Sequence, residues 1–406
     1  MRRASCVVLI GALLVGVGTV WAKEPKRVPQ EVLDSIVDDP DPLPRHRAPW
    51  EPEFIPVWRD SRAPHTPPSA PPDTPAEYER NDGLLIAWDG FQTLLTQMTV
   101  GITTGTDATV WVVVDSVSEQ TSATSTLTSA GADMNQVEFI VATTDSVWIR
   151  DYGPRFIREG GSRSMVDHTY NRTRPNDNAF PDALAVQWGE TQYDIPLTHG
   201  GGNFHLWGDG SANMTELITD ENPGLSDADV QGYYQSYQGL DLTITEAFDQ
   251  SYDWTQHIDM WMLPVATGEV MIGQYSPADV NSFNVTEGVA SNLEGLGYTV
   301  YRTPGWSTGY YGTHYTYTNS LILNEMVLAC QFANASSSYA DEDAAALAVF
   351  QTAFPDRIIY PVDCSDIIDS AGAIHCIVMH VPDVTWVFDG GFERGDLSKW
   401  SAVTDS

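Results

Sequence analysis

Four short stretches of this chain group charged residues, glycines and aromatics in ways that core packing does not require. The first, Asp145 to Pro154, carries Asp145, Trp148, Arg150 and Asp151 ahead of Gly153-Pro154. Read as a strand ending in a turn, it sends Arg150 and Asp151 to opposite faces, so each needs a partner from elsewhere. The second, Gln256 to Trp261, sets His257 and Asp259 two residues apart, on one face if extended. A titratable ring beside a carboxylate suits proton transfer and cation binding. The third, Gly372 to His380, places Cys376 just after a small-residue turn, at the entry of an expected strand. A thiolate nucleophile needs a positive or hydrogen-bonding neighbour to bring its pKa down from about 8.5, and a cationic substrate supplies that charge. The fourth, His199 to His205, holds Gly200, Gly201 and Gly202 but lacks the lysine and the GxGxxG spacing of a phosphate loop. Carboxylates, a histidine and a cysteine together point to a thiol enzyme that acts on a cation. The order Asp…His…Cys does not suit a papain-like protease. His199, His205, His375 and His380 show no compact ligand spacing, so neither a metal nor another cofactor is expected.

The elements that must position these residues read as a mixture of short strands and helices. Strands are predicted at 84–88, 110–114, 137–141, 269–275, 298–302, 320–323, 326–330, 357–362 and 375–380. Helices are predicted at 227–237, after Ser226 with Asp229 at capping-box spacing, at 285–296 before Gly297, and at 341–354 before Pro355. Asn324-Glu325 reads as a tight hairpin turn. The fold class is therefore α/β, and no literal sequence repeat is evident. Residues 23–74 are proline-rich, an extended lead or linker with short pieces that can lie over the body, and the catalytic domain is expected at 75–386. A Gly- and Asp-rich tail covers 387–406.

The chain has 406 residues and a net charge of −35, from 20 Lys+Arg against 55 Asp+Glu. That balance argues against nucleic acid and anionic membrane surfaces and is compatible with cationic substrates. Residues 1–22 begin with Arg2 and Arg3, continue through an apolar run from Val7 to Val20 and end at Ala22. They read as a signal peptide, so the protein is expected to be secreted or periplasmic, without stable membrane insertion. Cys6 lies in that segment, which leaves Cys330, Cys364 and Cys376. Three cysteines cannot all pair in an oxidising compartment; Cys330 and Cys364 are candidates for a disulfide, with Cys376 left as a free thiol.

Seven segments, in register over residues 75–385, give the chain a specific resemblance to the Porphyromonas-type peptidyl-arginine deiminases and the related agmatine deiminases. They are Pro75 to Glu79; Asp145 to Pro154, similar to a WxRDxGP motif; Gly201-Gly202-Asn203 with Gly208-Asp209-Gly210 and Thr215-Glu216; His257-Ile258-Asp259; Tyr317 to Asn324; Phe354 to Arg357; and Ile374-His375-Cys376. The resemblance implies a five-bladed, pseudo-symmetric α/β propeller, the pentein fold, to which the Pro-rich lead read from composition is an N-terminal extension. It implies that Cys376 attacks the guanidinium carbon, that Asp151 and Asp259 hold the nitrogens, that His257 moves protons and that Asn319 orients the histidine or cysteine. Trp148 and Asn203 would help to bind substrate. Arg172 and Arg174 resemble the loop that meets a substrate carboxylate in the peptidyl-arginine branch.

The expected activity is conversion of peptidyl arginine, C-terminal in the first instance, to citrulline. The alternatives are agmatine deimination and an inactive guanidinium-binding propeller. The partners implied are arginine-containing peptides or proteins, or agmatine. Two departures bear on substrate detail: the glycine run before the nucleophile is Asp369-Ser370-Ala371-Gly372-Ala373, and His199 stands where an acidic residue often precedes GGN.

Overall fold

Val110 to Val114 is an unbroken apolar run, as a parallel strand covered on both faces requires. The computed structural model, which describes residues 24–54 and 66–383, places it in strand Thr109–Val114, between Asn81–Ala87 and Val137–Val141, both parallel to it. Met379–Pro382 pairs antiparallel on the free edge of Asn81–Ala87 and brings the C-terminal end of the described chain against its first strand.

Four further sheets repeat this pattern of one antiparallel pair followed by one parallel neighbour. They are built on Arg155–Glu159, Ser162–Tyr170 and Thr191–His199; on His205–Leu206, Ser211–Thr215 and Asp241–Thr245; on Met262–Ala266, Glu269–Gln274 and Thr299–Ser307; and on Leu321–Leu323, Met326–Gln331 and Ile358–Asp363. His314–Thr316 adds a fourth strand to the Met262 sheet. A helix bridges each parallel step: Gln92–Gly105 and Val117–Ala130 in the first sheet, then Pro175–Trp188, Asp227–Gln238, Val280–Gly295 and Ala340–Ala353. The repetition lies in strand pairing rather than in residue identity, so it left no repeat in the sequence.

The predicted helices at 227–237, 285–296 and 341–354 are present within a few residues of their expected ends, and Ser226 and Asp229 form the capping box. Asn324 turns the predicted hairpin with a positive φ of 50°. The pattern overlooked Gln92–Gly105, where threonines depress helix propensity; Thr99, Thr103 and Thr104 direct their hydroxyls to carbonyls four residues back. Pro175–Trp188 was hidden by its own prolines, one at its start and Pro181 within it. Several strands between 155 and 245 lack clean alternation and were also overlooked.

Two local expectations are corrected. Asp145 to Tyr152 is a loop ending in a helical turn, Ile149–Tyr152, and not a strand. His375–Ile377 is a 3-10 turn, so the strand expected at 375–380 begins at Met379. The lead lies on the body from Glu24 to Phe54: Val28 packs with Val100 and Ala130, and the Tyr360 hydroxyl donates to the Lys26 carbonyl. Cys330 and Cys364, on the neighbouring strands Met326–Gln331 and Ile358–Asp363 or just beyond, form a disulfide with Cα atoms 5.4 Å apart; Cys376 is free and buried. The expected signal peptide, residues 55–65 of the lead and the C-terminal tail lie outside the described residues.

Candidate active site

Asp151, His257, Asp259, Asn319 and Cys376, separated by up to 225 residues in sequence, converge on one point. The Ile149–Tyr152 turn aims Asp151 inward, where its Oδ1 accepts from the Gly202 amide at 3.1 Å. The 3-10 turn Ile258–Met260 does the same for Asp259. Glycine is required at 202: a Cβ there would lie 2.7 and 2.8 Å from oxygens of Asp259 and Asp151, inside the slot between the carboxylates. The glycine run, weak as a signal in the sequence, thus marks a close backbone approach.

A guanidinium already fills that slot. It belongs to Arg45, in the proline-rich lead. Its Nε and Nη2 each donate to Asp151 at 2.9 Å; its Nη1 and Nη2 donate to the two oxygens of Asp259 at 3.1 and 3.0 Å. Nη2 also donates to His257 Nδ1 at 2.7 Å, and Nη1 contacts Cys376 Sγ at 2.6 Å. Fork-to-fork pairing of this kind is the strong mode for arginine and carboxylates. Arg45, His257, Asp259 and Cys376 are each 0% exposed and Asp151 is 1% exposed, so the chamber is closed.

The main chain of Arg45 is held as well. Its N–H donates to the Ser370 carbonyl at 2.9 Å, and its carbonyl accepts from Arg172 Nε at 3.3 Å. Arg174 donates to the carbonyls of Pro44 and His46 and pairs with the Glu51 carboxylate at 2.8 Å. Trp148 Nε1 donates to the Leu43 carbonyl at 2.7 Å, and the His46 ring stacks on Trp254.

Burial opposes charge throughout the chamber. It would raise Asp151 and Asp259, but Arg45 and the neighbouring histidines outweigh it and hold both carboxyls well below their ordinary range. Burial pushes the Cys376 thiol far up; the Arg45 cation pulls it down, while Asp259 and Asp151 push it further up. A thiolate here therefore depends on a cation between the carboxylates. Asn319 Oδ1 lies 3.2 Å from Cys376 Sγ and accepts from the Ala373 amide, which fixes the position of the thiol.

A guanidinium held by two carboxylates, with a thiol and a histidine at hydrogen-bonding distance, is the chemistry of a guanidine-modifying enzyme. A model of the Porphyromonas-type peptidyl-arginine deiminase family matches residues 73–382, most of the chain. The chain belongs to that family. It is accordingly a member of a group of hydrolases that act on guanidino C–N bonds. It is 24% identical over 274 residues to a Streptomyces avermitilis protein named "Putative agmatine deiminase", which covers 61% of this chain and 77% of that one. A Selenomonas ruminantium protein of the same name is 22% identical over 292 residues, with the same coverage. The structure named "Putative Arginine Deiminase" from Porphyromonas gingivalis superimposes with a TM-score of 0.68 at 19% identity, over 77% of this chain and 99% of that chain. The agmatine deiminase of Enterococcus faecalis gives 0.65 at 19% identity, over 77% and 96%. These likenesses establish the α/β fold of the deiminases.

Within this family member, each residue singled out from sequence has a definite place. Asp151, His257, Asp259, Asn319 and Cys376 surround the guanidinium. Arg172 and Arg174 hold the main chain of the segment that carries it. Trp148 touches that segment rather than the guanidinium. Asn203 is not brought onto the guanidinium: its amide braces Thr215 and the Ile258 amide, behind the Asp259 turn.

Arg45 was missed, and nothing in a proline-rich stretch flags one arginine among several. Glu77 was noted in the opening motif but given no role. It pairs with Arg150 at 2.5 Å and with His375 Nε2 at 2.8 Å, while His375 Nδ1 meets Asp259 at 3.0 Å. Arg150 and Asp151 thus find separate partners, though from a helical turn and not from the opposite faces of the expected strand. Glu77, His205 and His375 lie close enough together to share a metal ion, but the Arg150 cation already answers the Glu77 charge.

Burial would raise Glu77, yet Arg150, His375 and His380 hold it well below the usual carboxylate range. A depressed carboxyl contributes stability above its unfolded pKa and loses it as pH falls through the folded one. Glu77→Gln should therefore cost about 3 kcal/mol near neutral pH, and the deficit should shrink as pH drops below about 4. Denaturant unfolding of both proteins from pH 3 to 7 checks this; a pH-independent deficit would refute it.

Proposed function

We propose that this protein is an exported deiminase that converts peptidyl arginine to citrulline, its five sheets acting as the blades of a pseudo-symmetric propeller around the site. The observation that carries this reading is the way an arginine within a polypeptide fits: both main-chain polar groups of Arg45 are bonded, by Ser370 and Arg172, along with its guanidinium. Agmatine keeps an amine nitrogen at the first of these positions but has no carbonyl, so the contact from Arg172 is the one that separates the two. In a peptide ending in arginine, a carboxylate oxygen would take the place of the Arg45 carbonyl beside Arg172, which supports C-terminal arginine as one substrate form. The apolar N-terminal segment supports export. Agmatine remains the second reading, favoured by the names of the curated relatives.

In the proposed reaction Asp151 and Asp259 fix the guanidinium, and its charge favours the Cys376 thiolate. Sγ adds to the guanidinium carbon. One nitrogen leaves as ammonia, taking a proton from His257, and the remaining covalent thiouronium is opened by water to the ureido product. Asn319 keeps Sγ aligned. These residues account for the steps without a cofactor.

The test uses agmatine, a peptide ending in arginine, and the same peptide with the arginine internal, following ammonia release. Turnover of the peptides above agmatine is expected; turnover of agmatine alone would move the function to the second reading. Arg172→Ala should lower kcat/KM for peptides about tenfold, the worth of one charged hydrogen bond, and spare agmatine. Equal losses on both would refute the main-chain role of Arg172.

A further inference from the structure

Arg45 is bound as a substrate would be, by the same chain that carries it. The segment from Pro42 to Pro52 is built into the mouth of the site and does not merely lie over it. Trp148, Arg174, Ser370 and Arg172 bond successive main-chain groups from Leu43 to His46, and Thr173 Oγ1 donates to the Pro52 carbonyl. Glu51 folds back to accept from the Ala48 amide and from Arg174, tying the segment's far end to the same arginine that holds its centre. Gly372 leaves room for the arginine's aliphatic stem: a Cβ there would sit 3.1 Å from Arg45 Cδ and 3.0 Å from Cys376 Sγ. Arg47, two residues on, donates to the Glu51 carbonyl of its own segment at 3.4 Å and is not in the slot.

We propose that Arg45 is a modification site of its own enzyme: Cys376 deiminates it within the same chain, and the resulting citrulline releases the segment that closes the site. The proposal rests on the deiminase reading above. In the first step the Sγ–Cζ bond forms and the Cζ–Nη2 bond breaks. Nη2, the nitrogen that contacts His257 Nδ1, departs as ammonium, with its proton passed through His257. In the second, the water that this hydrolase family consumes adds to Cζ, the Sγ–Cζ bond breaks, and the thiol regains its proton. Overall, one guanidinium and one water give one neutral ureido group and one ammonium ion.

Release follows from the change in charge. The buried cation answers two buried carboxylates at once. A ureido group carries no charge and turns an oxygen lone pair toward carboxylate oxygens, where Nη2 donated before. The segment would then be held without its most deeply buried anchor, by the main-chain bonds to Trp148, Ser370, Arg172, Arg174 and Thr173, the Glu51–Arg174 pair and the His46–Trp254 stack. Until conversion, external guanidines compete with a ligand attached to the same molecule, whose effective concentration is far above any free substrate.

The experiment reads residue 45 directly in the purified full-length protein by peptide mass spectrometry. Wild type is expected to carry citrulline there, about 1 Da heavier than arginine, while Cys376→Ala retains arginine. In a mixture, trace wild-type enzyme should leave Arg45 of Cys376→Ala unmodified, because that arginine is enclosed in its own chain's site. Arginine at position 45 in wild-type protein that turns over external peptide would overturn the proposal. So would rapid conversion of Cys376→Ala by added wild type.

Arg45→Ala separates this from the underlying function. If Arg45→Ala deiminates external peptide while wild-type Arg45 stays intact, the deiminase reading stands and self-modification falls. If folded Arg45→Ala is silent on every guanidine, the deiminase reading itself has failed. Should alanine destabilise the emptied carboxylate pair, Arg45→Lys keeps a cation that cannot be deiminated, and it should show low external turnover that rises as substrate outcompetes the lysine.

Discussion

Cys376→Ala is expected to reduce deimination to background, a loss of about 10⁵ or more, while leaving the fold intact. The side chain is buried against Asn319 and the guanidinium and makes no bond that another element depends on. The contrast is Cys330→Ala, which breaks the disulfide to Cys364 across 34 residues of chain. A loop of that length stabilises by about 3–4 kcal/mol through the unfolded state. Cys330→Ala should therefore unfold at lower denaturant but keep kcat near wild type at a temperature where it is folded. Paired assays of ammonia release and denaturant unfolding distinguish the two cysteines. Comparable residual activity of both variants would remove Cys376 from the role of nucleophile.

The second large effect is expected at Asp151. Asp151→Asn preserves shape, and its Oδ1 can still accept from the Gly202 amide. It removes one of the two charges that hold the guanidinium and places an amide donor against another donor. A loss of about 10³ in kcat/KM is expected, equivalent to about 4 kcal/mol of transition-state binding. Both KM and kcat should suffer, because the same charge grips the substrate and favours the bound cation that brings the thiol toward its reactive form. Retention of more than a tenth of wild-type kcat/KM would mean that Asp259 alone suffices and that Asp151 only shapes the slot.

The chemistry was legible in residue types and order. Asp151, His257, Asp259 and Cys376 stood out because ionisable groups beside glycines and turns are not what a core selects, whereas Asn319 was reached only through the family resemblance. The three helices with clean caps and stops were equally legible, and so were the continuous apolar strands. Sequence did not reveal Gln92–Gly105 and Pro175–Trp188, whose threonines and prolines argue locally against helix and are overruled by packing. The five like sheets were expected only through the family resemblance and not from any repeat in the residues, since backbone pairing repeats without repeating side chains.

The role of Arg45 belongs to tertiary structure entirely. One arginine in a proline-rich lead has no local feature that separates it from Arg47. What selects it is distance: its segment is fastened at Leu43, Pro44 and His46 so that this one side chain reaches between Asp151 and Asp259. Glu77 is similar, a carboxylate whose meaning comes from Arg150 and His375, distant in sequence and adjacent only after folding. The sequence by itself determined which groups are present and the reaction they are suited to. The fold decided which charges meet, because a buried charge takes its state from neighbours brought in from elsewhere in the chain.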